Sequence, residues 1–135
     1  MAQAEAAGER AAVSPPAPLT VIDLAREAAT FTPGTRSRVL AGVNDSVVKF
    51  SVFEGEGHWH AHPDTDECFI VLEGELVVEI FEGDTLHVGP GQLVTIPAGA
   101  AHRPSAAART VLLCLKRGEG ATQFYELVPP APPAR

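Results

Sequence analysis

The chain is short of positive charge, of sulfur and of long apolar runs. Ten Lys and Arg stand against seventeen Asp and Glu over 135 residues, a formal charge of −7. Nucleic acids and anionic membrane surfaces are bound through a surplus of basic side chains, so neither is an expected partner, and a small-molecule ligand fits better. No apolar stretch of about eighteen residues occurs, which excludes a transmembrane helix. Glu5, Glu9 and Arg10 interrupt the Ala/Pro-rich start, so no secretion signal is read there and a cytoplasmic location is expected. The two cysteines, Cys68 and Cys114, lie in separate β-like apolar runs without a CxxC spacing or a basic setting. Buried reduced thiols are expected there, not a disulfide or a nucleophile. No helical pattern is long enough for a βαβ crossover, and no helix-turn-helix segment is appended.

Apolar residues make up 45% and charged residues 20% of the chain, the composition of a globular protein with one core. Residues 1–18 read as a disordered leader, 19–128 as a single domain, and the tail PPAPPAR over 129–135 as disordered. Between Leu19 and Phe31 the stretch LAREAA permits a short helix against the domain.

From Ser37 onward, short apolar runs alternate with Gly, Pro, Asn and Asp at intervals of roughly ten residues, the pattern of an all-β sandwich or barrel. The runs are Arg38 to Val43, Ser46 to Phe53, Cys68 to Leu72, Leu76 to Phe81, Thr85 to Val88, Leu93 to Ile96 and Thr110 to Lys116. Glu73-Gly74 and Glu82-Gly83-Asp84 mark tight turns, with Gly expected to supply the positive φ.

Chemistry concentrates in Gly57-His58-Trp59-His60-Ala61-His62-Pro63-Asp64-Thr65-Asp66-Glu67 and in a later His102. On a strand, His58, His60 and His62 share one face. Alternate residues are about 6.8 Å apart along the strand, a span two imidazoles can close onto one ion, whereas His58 and His62 are too far apart on an unbent strand. The loop after His62 returns the chain at Glu67, which selects His60 and His62 as the pair, and His102 can enter from a third strand. Three His and one carboxylate suit one divalent ion per chain, Fe, Mn, Zn, Ni or Co, with coordination positions left for substrate, water or O₂. Phe69 shares the face of Glu67 and is placed in the pocket by alternation, whereas Trp59 faces away.

These residues form two motifs. His60-Ala-His62, four residues, Glu67, six residues and Gly74 make the first; Gly91, five residues, Pro97-Ala-Gly99, two residues and His102 make the second. Together they resemble the paired motifs of the cupins, specifically the small single-domain bacterial cupins. The first motif's opening Gly is shifted to Gly55, and the Asn that often closes the second is Ala106. The resemblance implies a double-stranded β-helix, or jelly-roll barrel, with a short N-terminal extension, and a metal held by His60, His62, Glu67 and His102. It also implies a homodimer, with Leu19 to Leu24 as the candidate swapped strand. His58 is an additional imidazole, a candidate proton carrier or support for the ligands.

The leading functional expectation is a metal-dependent enzyme on a small organic substrate. Dioxygenation of an enol, dione or aromatic diol is expected with Fe(II), and isomerisation, cyclisation or decarboxylation with Zn, Mn or Ni. A non-catalytic binding or sensing module is the reading from another class.

Overall fold

The computed structural model describes residues 16–31 and 36–130. Most of the leader, and the tail beyond Pro130, lie outside the described residues. Within them the order is α1 (Leu24–Thr30), β1 (Arg36–Val43), β2 (Ser46–Glu56), β3 (Trp59–Ala61), β4 (Glu67–Glu73), β5 (Leu76–Ile80), β6 (Thr85–Val88), β7 (Leu93–Ile96), β8 (His102–Arg117) and β9 (Gln123–Tyr125). All strand pairs among them are antiparallel. The architecture is the all-β double-stranded β-helix implied by the motifs.

The 16-residue β8 is the spine. Ser51 of β2 and Val71 of β4 both pair with Leu112, so β2 and β4 occupy opposite edges of β8. Nearer its start, His102 is flanked by Ile80 of β5 on one edge and His60 of β3 on the other. That register carries one imidazole to within reach of another from a strand forty-two residues earlier in the chain.

Strand alternation divides the apolar residues into two sets. Phe69, Val71, Leu76, Val78, Val88, Ile96, Leu112 and Cys114 fill the barrel interior. Phe50 and Val52, with Leu40, Val111 and Ala28, form a second cluster beneath α1. The helix begins where Asp23 caps it, its carboxylate accepting from Arg26 N at 3.1 Å, and it buries Ala28. Phe31, just after the helix, meets Phe50 edge to face at 5.3 Å, a geometry worth about 0.5–1.5 kcal/mol beyond burial.

Three local expectations are corrected. In the β5–β6 turn the positive φ belongs to Glu82 (+57°), not to Gly83. At Gly83 the fit is tight instead, since a Cβ there would lie 3.1 Å from Ile80 Cγ2 and the Ile80 side chain would have to shift. The last long strand starts at His102, eight residues before the apolar run at Thr110, because pairing on both edges overrides the weak strand preference of Pro104 and the alanines after it. The short β9, which the apolar pattern does not mark, pairs with β3.

Candidate metal centre

His60 lies in β3, His62 just beyond it, Glu67 opens β4 and His102 opens β8. The four are 4%, 6%, 4% and 0% exposed respectively. Their ligand atoms all lie within 4.8 Å of one another. The four residues singled out by their spacing are thus brought to one point by the fold.

Each imidazole is anchored through Nδ1. His60 Nδ1 is 2.8 Å from the His58 carbonyl oxygen, His102 Nδ1 is 2.9 Å from that of Ala100, and His62 Nδ1 is 3.1 Å from Thr122 Oγ1. A carbonyl can only accept, so Nδ1 of His60 and His102 carries the proton, and in the neutral ring Nε2 presents a lone pair. His62 Nε2 and His102 Nε2 are both 3.1 Å from Glu67 Oε1. His62 Nε2 is buried yet makes no hydrogen bond, because that approach is close but misaligned. Neutral imidazole lone pairs gathered on a buried carboxylate repel one another without a cation between them. The donor set thus fits a divalent metal ion held by His60, His62, Glu67 and His102.

The charge states agree with that fit. Burial, reinforced by repulsion from His102, pushes His60 from 6.5 down to about 3 despite the pull of Glu67, so the ring is neutral near pH 7. Burial alone would raise the Glu67 carboxyl, but the neighbouring His102 and His62 imidazoles, with the Cys114 thiol, outweigh it and hold it well below its usual range. Cys114 Sγ donates to Glu67 Oε2 at 2.8 Å, fixing one carboxylate oxygen while the other faces the imidazoles. Burial, then the charge of Glu67, pushes this thiol well above its ordinary value, so it remains a donor.

The group opens on a cavity of about 150 Å³, with Phe69, Leu76 and Leu112 on its apolar side and Lys49, Ser51 and His58 among its polar lining. Phe69 is in the wall, its ring 6.1 Å from that of His102. His58 is half-buried; it lines the cavity, and its carbonyl orients His60. Trp59 faces away, edge to face with Phe81 and under the Arg103 guanidinium.

Five residues of this site were not singled out from the sequence: Lys49, Ser51, Cys114, Thr122 and Phe124. Phe124 pairs with His60 across β3–β9 and lays its ring 5.7 Å from the imidazole. Lys49 and Ser51 did carry a signal, two polar residues at alternate positions of an otherwise apolar run. Thr122 and Phe124 carried none, since only tertiary pairing brings them to the histidines.

An antiparallel β-barrel with three buried histidines and one glutamate at one end of its cavity defines a class of metal-binding barrel. Residues 46–116 match the model of the cupin domain, and the chain belongs to that family. It is 41% identical over 90 residues to the uncharacterized protein YdbB of Bacillus subtilis strain 168, spanning 67% of this chain and 80% of that protein. Among solved structures, a cupin-2 domain protein of Shewanella frigidimarina is 34% identical with a TM-score of 0.68, covering 72% of this chain and 94% of that one. The DMSP lyase DddQ of Ruegeria pomeroyi is 25% identical with a TM-score of 0.58, covering 70% of this chain and 53% of that one.

Proposed function

We infer that this cupin is a metal-dependent enzyme acting on a small organic substrate. The observation that carries the reading is the set of imidazoles anchored through Nδ1 and gathered with Glu67 at the wall of a half-apolar cavity. A bound divalent ion supplies Lewis-acid polarisation of a carbonyl or enol oxygen, or activation of O₂ where the metal is Fe(II). His60, His62, Glu67 and His102 hold it. Phe69, Leu76 and Leu112 exclude water from the substrate, and His58 holds or moves a proton at the cavity wall. With Fe(II) the reaction is dioxygenation of an enol, dione or aromatic diol.

A second reading, non-redox isomerisation, cyclisation or decarboxylation with Zn, Mn or Ni, is favoured by His58 in the lining. The similarity to a lyase among the solved structures supports it as well. Oxygen uptake by the Fe(II)-loaded protein on a panel of diones and catechols separates the two. Uptake that disappears in His60→Ala is expected for the oxygenase; no uptake at full Fe(II) loading refutes it and leaves the non-redox reading. The homodimer belongs to the same proposal, supported by the full exposure of Leu19 and Val21 in the candidate swapped segment. A monomer in sedimentation at micromolar concentration would refute that part.

A further inference from the structure

The two carboxylate oxygens of Glu67 meet different groups. Oε1 lies 3.1 Å from Nε2 of both His62 and His102, among the lone pairs that a metal ion would join. Oε2 lies 2.8 Å from Cys114 Sγ. Sulfur and oxygen come that close only with a hydrogen between them, and an ionised carboxylate can only accept, so the thiol donates. A buried cysteine is ordinarily a small apolar filler. Cys114 has that part too, packed in the barrel interior with Phe69, Val71 and Leu112. Its proton sets it apart, because it is directed at a carboxylate that is itself 4% exposed.

The fold leaves this contact little freedom. Cys114 lies in β8 and pairs with Lys49 of β2 on one edge and Phe69 of β4 on the other, so its backbone is held from both sides. Glu67 is two residues before Phe69 on β4 and shares its face by alternation. The contact between Sγ and Oε2 therefore joins two fixed strands, and both residues stand in the cavity wall.

A carboxylate holds a divalent ion through one oxygen or through both. In the second mode it fills two coordination positions, one of which is then lost to any other ligand. A donated proton on Oε2 favours the first mode. We propose that Cys114 is a positioning residue that limits Glu67 to metal binding through Oε1 and so keeps a coordination position open for substrate. This role rests on the four-ligand metal reading above and deepens it, since the thiol then sets how much of the ion the substrate can use.

The test is azide titration of Co(II)-loaded wild type, Cys114→Val and Cys114→Ser, followed in the visible spectrum, with bound cobalt counted in each. Azide reports a free coordination position; valine keeps the size of the side chain without a donor, and serine keeps a donor. Wild type is expected to hold about one cobalt per chain, to show no sulfur-to-cobalt charge-transfer band, and to bind azide. Cys114→Val holds as much cobalt but binds azide at least about tenfold more weakly, the lower limit for an outer partner of a metal ligand, and Cys114→Ser stays within about threefold of wild type. An intense sulfur-to-cobalt band in wild type would make Cys114 a ligand itself and overturn the positioning role. Azide affinity in Cys114→Val within about twofold of wild type, an equal loss in Cys114→Ser, or cobalt-loaded wild type that binds no azide would overturn it too, and each leaves the metal site in place. Should Cys114→Val not fold, Cys114→Ala decides by the same criterion. Folded wild type that takes up no cobalt refutes the metal reading, and the positioning role with it.

Discussion

Among the described residues, Thr122 is the one side chain hydrogen-bonded to Nδ1 of a histidine in the candidate ligand group; the Nδ1 atoms of His60 and His102 are held by backbone carbonyls that substitution cannot remove. Thr122→Val keeps the shape of the side chain and deletes the hydroxyl 3.1 Å from His62 Nδ1. His62 can then rotate or place its proton on Nε2, and both changes withdraw a lone pair from the centre. Outer partners of metal-binding histidines are worth about 10- to 100-fold in metal affinity. A neutral, partly buried hydrogen bond contributes about 0.5–1.5 kcal/mol, which puts the expected loss near the lower limit, about tenfold. Thr122 lies in the connection between β8 and β9 and is only half-buried, so the fold should lose no more than about 0.5 kcal/mol. Competition with a chromophoric chelator for Zn(II) measures the effect. Thr122→Val should bind about tenfold more weakly with unchanged stoichiometry, while Thr122→Ser, which keeps a hydroxyl, stays within about threefold. Affinity within about twofold of wild type for Thr122→Val would refute the claim that this hydroxyl sets the His62 ligand.

Two further predictions concern the fold and its pH response. Gly74 has φ +82°, and a Cβ there would lie 2.5 Å from Thr110 Oγ1 and 2.7 Å from the Arg109 carbonyl oxygen. Gly74→Ala should therefore cost about 2–4 kcal/mol through strain and overlap together, lowering Tm by roughly 10 °C in thermal unfolding; a shift under about 3 °C would contradict the geometry. His60 has an unfolded value near 6.5 and a folded value of about 3. The unfolded chain takes up this proton first, so the contribution of His60 is fully present above pH 6.5 and is lost as pH falls toward 3. In chelator-treated protein, stability should decline from about pH 6.5 to about pH 5, and less steeply in His60→Gln. Parallel declines in the two proteins would contradict the assignment.

The strands were legible because their signals are local: alternation over four to eight residues, closed by Gly, Pro or Asp. Where long-range pairing decided the outcome, local patterns stopped short. His102 to Ala108 is strand because β5 and β2 flank it, and β9 is strand because β3 needs a partner. The four ligands were legible for a related reason. His60 and His62 are two residues apart, and Glu67 follows a loop too short to take it elsewhere. Cys114 and Thr122 support this site from 47 and 60 residues away, distances no spacing argument reaches. Cys114 was expected as a buried reduced thiol and is one, but its hydrogen bond to Glu67 gives it a part in the site that burial alone does not reveal. Lys49 shows the opposite case: its position in an apolar run was visible, and its place in the cavity wall became clear only from the fold.

Whether His60, His62, Glu67 and His102 form one divalent metal site is tested most directly by elemental analysis. Plasma mass spectrometry is applied to protein purified without added metal and again after reconstitution, with wild type run beside His60→Ala and Glu67→Gln. About one equivalent of divalent metal per wild-type chain is expected, and less than about a tenth of an equivalent in either variant after dialysis, with the barrel still folded by circular dichroism. Folded wild type that retains no metal after reconstitution, or variants that retain as much as wild type, would contradict the four-ligand site.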